Sequence, residues 1–224
     1  MQKRSHFIEI ACFNKESAII AAKAGADRLE LCSNRELGGI SPDLQWVREV
    51  KEEVNIPVYV MLRPRGGNFI YTEHEITELV NYMEAAHRIA VDGFVFGCLK
   101  IGSQLDMNQN ERLIKVANHK PCTLHKAFDE VIDPFETLGQ AIALGFKNIL
   151  SSGCKTEASQ GVSLLSKLCM EGLEKINIMP GGNIRSTNLD QIKKFTGAIW
   201  YHSAAIIGNL ETPDASEIKA LLKQ

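Results

Sequence analysis

The chain has 224 residues, of which 45% are apolar and 23% charged, and its formal net charge is -2. That is the balance of a soluble globular protein, and the length suits one closed sheet sharing one core. No basic excess is present to neutralise a phosphate backbone, which argues against nucleic acid as a partner.

No apolar run approaches the ~18 residues of a membrane span, so no membrane partner is expected. The opening stretch MQKRSHFIEI lacks the apolar core of a signal peptide and leads into a strand. The expected location is the cytoplasm, where Cys12, Cys32, Cys98, Cys122, Cys154 and Cys169 would stay reduced. No CxxC pair occurs, so neither a structural zinc site nor a redox motif is indicated.

The elements follow one repeating pattern. Short apolar runs rich in β-branched and aromatic residues predict strands at 7–12, 28–32, 58–62 and 93–97, then at 122–125, 148–152, 175–179 and 198–202. Helices are expected between them. Ser41-Pro42, Asp133-Pro134 and Thr212-Pro213 each offer a capping oxygen followed by proline, and Thr72 to Glu75 forms a capping box. Gly25, Asn55, Gly145, Gly172 and Gly197 mark helix ends. Eight strand–helix units with no linker predict a single-domain α/β protein, a TIM (β/α)8 barrel. The competing fold is an open doubly wound sheet. That fold usually carries a glycine-rich phosphate turn after its first strand, where this chain has Phe13-Asn14-Lys15-Glu16.

Alternation along each strand sorts side chains between the barrel axis and the helix layer. Glu9 lies between Ile8 and Ile10, and Glu30 between Leu29 and Leu31. Against the helices an unpaired carboxylate would be very costly, so both are expected to face the axis. Parity adds Arg63, His125, Asn177 and His202, so that six strands contribute one polar group each. Glu9, Glu30, Arg63 and His125 are expected to meet in one mouth of the barrel. Carboxylates, imidazoles and a guanidinium there suit general acid, general base and anion-holding roles. The same set also reads as a buried salt-bridge network that only fills the barrel.

Two loops fit an anion. LRPRGGNF (62–69) carries Arg63 and Arg65, whose forks bind carboxylate or phosphate. PGGNIR (180–185) brings Gly181, Gly182 and Asn183 to a helix expected to start near Ser186, with His202 and Ser203 opposite. Both loops also read as tight or solvated turns. Lys126 and Lys100 are weaker candidates for a reactive lysine, and Lys126 is expected to point aside. Cys12 and Cys32 end adjacent strands and are the candidate ligands if copper binds, as soft thiolates suit Cu(I). The reading as core residues is favoured over ligation, since cysteine is common in cores and Cys12 has the opposite parity to Glu9.

ADRLELCSN (26–34), LGGISP (37–42), VMLRPRGGNF (60–69), DGFVFG (92–97), HKAFD (125–129), ILSSG (149–153) and IMPGGNIR (178–185) resemble the CutC family, in order and in register from about residue 8 to residue 203. The resemblance implies a TIM barrel, a cytoplasmic homo-oligomer (dimer or tetramer), and an association with copper homeostasis without a settled reaction. Carried onto this chain, the family's motif positions are Glu9, Glu30, Cys32, Arg63, Arg65, His125, Asp129, Gly181, Gly182 and His202. Lys126 departs from the family pattern, where many relatives carry arginine. Three readings follow: a barrel enzyme acting on a small anionic or phosphorylated metabolite, a copper-handling protein using Cys12 and Cys32, and a non-enzymatic interaction protein.

Overall fold

A computed structural model describes residues 5–224. The elements run β1 (Phe7–Cys12), α1 (Lys15–Ala24), β2 (Arg28–Leu31), α2 (Leu44–Glu53), β3 (Val58–Met61), α3 (Glu73–His87) and β4 (Gly93–Phe96). A short hairpin of β5 (Leu99–Lys100) and β6 (Gln104–Leu105) precedes α4 (Met107–Val116) and β7 (Cys122–Leu124). Then come α5 (Pro134–Leu144), β8 (Asn148–Ser151), α6 (Val162–Glu171), β9 (Asn177–Pro180), α7 (Leu189–Thr196), β10 (Trp200–Ser203) and α8 (Ala215–Leu221).

Eight strands form one sheet in the order β10-β1-β2-β3-β4-β7-β8-β9, with parallel neighbours throughout. Its two end strands, β9 and β10, lie side by side, and the sheet forms a nearly closed TIM barrel. Eight successive parallel strands need seven crossovers, which α1 to α7 supply on the outside, and α8 follows the last strand. The β5–β6 hairpin, spanning residues 99–105, is an addition that the eight-unit pattern does not anticipate.

The strands have two faces with different tasks. Ile8, Ile10, Leu29, Leu31, Val60 and Phe94 point outward and are fully buried with Ala18, Ala21, Val47, Val50 and Met83 of the helices. Each such side chain contributes about 1.5–3 kcal/mol of burial. Trp46 packs against the same core. A second, small cluster of Cys32, Tyr59, Met61 and Val95, with Phe13 against it, occupies the barrel interior.

The expected capping box is present on α3, where Thr72 accepts from Glu75 N–H and Glu75 reaches back to Thr72. Asp133 caps α5 ahead of Pro134. The other two Pro-marked starts are displaced. Asp43 and Asp214, not Ser41 and Thr212, cap α2 and α8. In each case the carboxylate just after the proline takes the first amides, and Ser41 exchanges hydrogen bonds with the backbone of Arg63 instead. The helix expected near Ser186 begins at Leu189.

The start of α6 presses directly on the end of β8. A Cβ at Gly161 would collide with the carbonyl of Ser152, and one at Gly153 with the carbonyl of Gly161. Gly161→Ala should therefore cost about 1–3 kcal/mol by overpacking. Urea denaturation measures this, and a midpoint equal to that of the parent would show that the two backbones can part freely.

Candidate functional site

The inward layer is built around a charge that strand alternation alone brings there. Arg28 shares the parity of Glu30 and is the register partner of Glu9 on the neighbouring strand. Its Nε donates to Glu9 Oε2 at 2.5 Å, and both side chains are almost wholly buried. The guanidinium lies between the rings of Tyr59 and Trp200, 4.2 and 4.1 Å from their centroids. Glu9 Oε1 accepts from His202 Nδ1 at 2.8 Å. An ionised carboxylate only accepts, so Nδ1 carries the proton and Nε2 faces Glu30 Oε2 at 3.8 Å.

These contacts set the protonation states. Burial raises the Glu9 carboxyl, but Arg28 and His202 outweigh it and hold the group at about 2. Burial pushes Glu30 up to about 7, with Glu9 adding to the rise and His202 and Arg28 opposing it. Burial works against the His202 cation, yet Glu30 and Glu9 raise its pKa overall. One carboxyl is thus firmly ionised and the other poised near neutrality, a division suited to acid–base work.

Above this layer, at the C-terminal ends of the strands, a cavity of about 110 Å³ is lined by Glu30, Cys32, Met61, Arg63, His125, Lys126 and His202, with Ala11, Phe13, Gly38, Phe69 and Leu150. His125 Nδ1 accepts from Ala127 N–H at 3.2 Å, which places the ring proton of the neutral imidazole on Nε2. Burial, with Arg63 nearby, lowers the His125 pKa to about 3, so the ring stays neutral. Its Nε2, like Glu30 Oε1, is buried without a hydrogen-bond partner.

The expected convergence is met for Glu30, Arg63 and His125, which share the cavity with His202. Glu9 lies beneath it, wholly buried, and acts through His202. Arg63 pairs with no carboxylate. It donates to the carbonyls of Leu37, Gly39 and Gly67, and lies over the Phe69 ring, fastening two loops to the rim. Asn177 faces inward near the N-terminal end of its strand, its amide donating to Asn148, whose amide in turn donates to the hydroxyl of Thr123. Lys126 lines the cavity rather than pointing aside, because the chain turns into a 3-10 helix (Lys126–Glu130) and strand alternation stops there.

Asp129 is a staple. Its carboxylate accepts from Ser151 Oγ, Ser152 N–H and Oγ, and Cys154 N–H, tying that 3-10 turn to the end of β8. Arg65 pairs with Glu75 and donates to the Gly66, Asn68 and Ile70 carbonyls, away from the cavity. Gly181, Gly182 and Asn183 do not line the cavity either. The Gly181 N–H donates to Ser151 O, Ser152 and Thr156 crowd Gly182, and the Asn183 amide donates to Glu157. Ser186, expected to offer the positive end of a helix, already gives N–H and Oγ to the carboxylate of Glu217. Ser203 Oγ donates to Ile184 O. The protein's own groups therefore take most of the donors expected to hold an anion there.

Arg28 is the member of the cluster missed in the sequence. Its parity with Glu30 was the available signal, masked by its place at the first residue of a strand.

A TIM barrel with a polar cavity at the C-terminal ends of its strands has its site where barrel proteins of many functions place theirs. The chain belongs to the CutC family, whose family model matches residues 6–207. It is 38% identical over 198 residues to the human copper homeostasis protein cutC homolog, covering 88% of this chain and 72% of that one. A CutC family protein of Treponema denticola is 38% identical over 199 residues, 89% of this chain and 81% of that one. The crystal structure of Streptococcus agalactiae CutC superposes with a TM-score of 0.85 at 29% identity, covering 89% and 98% of the two chains. Phosphoribosyl anthranilate isomerase of Thermotoga maritima shares the fold alone, with a TM-score of 0.65 at 13% identity over 97% of each chain.

The family name raises copper. Cys12 packs in the layer between barrel and helices, whereas Cys32 belongs to the interior cluster. Burial pushes both thiols well up, away from the thiolate that binds metal. Two sulfurs in different layers do not make one Cu(I) site. The group of possible ligands within 4.8 Å of one another is Glu9, Glu30 and His202, whose oxygen and nitrogen donors are poor partners for Cu(I).

Arg28→Met should leave the Glu9 carboxylate buried without its cation and cost roughly 3–5 kcal/mol, most of it recovered when Glu9→Gln is added. Chemical denaturation of the single and double variants tests this, and a double variant no better than the single would refute it. A second expectation concerns pH. Glu30 titrates near 4.5 when unfolded and about 7 when folded, so its contribution to stability is full below 4.5 and is lost as pH rises through 7. Glu30→Gln should melt higher than the parent at pH 8, with a smaller gain at pH 4.5. A gain that is constant or shrinks with rising pH would show that folding does not raise the Glu30 pKa.

Proposed function

We propose that this CutC-family barrel is an enzyme that moves protons on a small anionic or carbonyl-bearing metabolite held in the cavity at the C-terminal mouth. The observation that carries this reading is the set of three unpartnered buried polar atoms, Glu30 Oε1, His125 Nε2 and Arg63 Nε, on residues lining one cavity. Leaving each without a partner costs about 1–3 kcal/mol, which a ligand's hydrogen bonds would offset. Glu30 is the acid–base group, suited to it by a carboxyl poised near neutrality. His202, oriented by its hydrogen bond to Glu9, faces Glu30 and opposes the rise in its pKa, and Arg28 holds Glu9 ionised. His125 is a fixed donor, and Lys126 brings a cation to the rim.

At about 110 Å³ the cavity is well below the roughly 300–1,000 Å³ of sites that take drug-sized ligands. The apolar walls of Phe13, Met61, Phe69 and Leu150 suit a short carbon chain. The test is a ligand-observed NMR screen of small carboxylates, hydroxy acids and carbonyl compounds. Binders should lose at least about tenfold in affinity, or ~1.4 kcal/mol, in both Glu30→Gln and His125→Leu. Binders indifferent to both substitutions, or no binder at all, would favour a cluster that only fills the barrel.

A further inference from the structure

Resting on the acid–base reading above, we infer that the site enolises a short carbonyl compound: Glu30 removes a proton from the carbon beside a carbonyl whose oxygen is held by the Nε2–H of His125. The substrate class is an aldehyde, ketone or 2-oxo acid with a C–H next to the carbonyl.

The placement of the two groups supports this. Glu30 is on β2, and β3 and β4 separate that strand from β7, whose end carries His125. The two residues therefore reach the cavity from different sides of the barrel, leaving room for a ligand between them. His125 is a donor and not an acceptor at Nε2, because the backbone N–H of Ala127 occupies Nδ1. A donor with no protein partner calls for an acceptor on the ligand, and a carbonyl oxygen is such an acceptor. Burial keeps the ring neutral, so it polarises the carbonyl without protonating it. A carboxylate base paired with a neutral imidazole is an arrangement used for enolising small carbonyl compounds.

Of the other cations near the mouth, Arg28 is closed between Tyr59 and Trp200, and Arg63 gives Nη1 and Nη2 to three backbone carbonyls while its buried Nε has no partner. Lys126, its Nζ 3.9 Å from Asp129 Oδ2, and the Nε–H of Arg63 are left to receive a carboxylate where the substrate has one.

The step balances without a co-reactant. The C–H bond breaks, its proton passes to Glu30, and its electron pair forms the enolate C=C while the carbonyl pair moves to the oxygen facing His125. Return of the proton to the same carbon restores the substrate. For a 2-hydroxy carbonyl, delivery to the former carbonyl carbon, with the hydroxyl proton passing to the enolate oxygen, gives the isomer.

The experiment follows the probes glycolaldehyde, dihydroxyacetone and pyruvate by proton NMR in D2O with the full chain, and measures binding separately by saturation transfer. At least one probe should bind and lose its α-proton signal faster than in buffer. Glu30→Gln should bind it about tenfold more weakly and, at saturating probe, exchange it at least about 100-fold more slowly. His125→Leu should slow exchange while Glu30 is intact, and circular dichroism should show both variants folded. Exchange undiminished in folded Glu30→Gln would overturn the inference. So would binding of the probes without exchange, which leaves the acid–base site standing but not its enolising role. If these probes fail while other anions bind in a Glu30-dependent way, the carbonyl class is wrong. If nothing binds, both readings fall.

Discussion

The buried pair of Arg28 and Glu9 is the constraint on which the rest of the site depends. Two charges inside a barrel cost several kcal/mol each in lost hydration, and their attraction recovers this only when every remaining hydrogen-bonding position is filled. Here the filling is nearly complete. Tyr59 and Trp200 cover the two faces of the guanidinium, and both oxygens of Glu9 are used, one by Arg28 and one by His202. Because Glu9 can only accept, the tautomer of His202 is decided, and with it the direction in which Nε2 points. Glu30 then meets an imidazole nitrogen rather than solvent.

The contrast between the two carboxyls follows from the same pair. They lie on adjacent strands and on the same face of the sheet. One is held at about 2 by the cation against it, and the other is pushed to about 7 by burial without such a partner. A structural network would be expected to satisfy both. The unpartnered oxygen of Glu30, opposite a neutral imidazole whose Nε2 is equally unpartnered, marks the point where the network stops filling space and faces a cavity.

Loops decide what that cavity contains. Arg63 ties the loop after β2 and the loop after β3 to the rim through the carbonyls of Leu37, Gly39 and Gly67. Asp129 does the equivalent on the far side by gathering the amides and hydroxyls after β8. Each is a charged side chain spent largely on the protein's own loops, although Arg63 keeps one buried N–H, at Nε, without a partner. The glycine loop after β9 is likewise set against the protein's own residues, with Glu217 closing the turn at Ser186.

The barrel was legible in the chain because its signals are local: short apolar runs, caps such as Thr72 and Asp133, and a period of two that separates Ile8 and Ile10 from Glu9. That same period placed Glu30, His125 and His202 on the inner face. Parity extends only as far as the strand does. At Lys126 the chain enters a 3-10 turn, and the expectation that this side chain points aside fails for that reason. Nor does parity say which inward residues will touch. That Arg28 rather than Arg63 meets the carboxylates depends on the register of β1 against β2, and on the carbonyls that the folded loops present to Arg63. The sequence by itself determined the class of fold and which polar groups face inward. Only the tertiary structure decided which of them are neutralised within the protein and which, like Glu30 and His125, are left with an unpartnered atom, because pairing depends on distances across strands far apart in the chain.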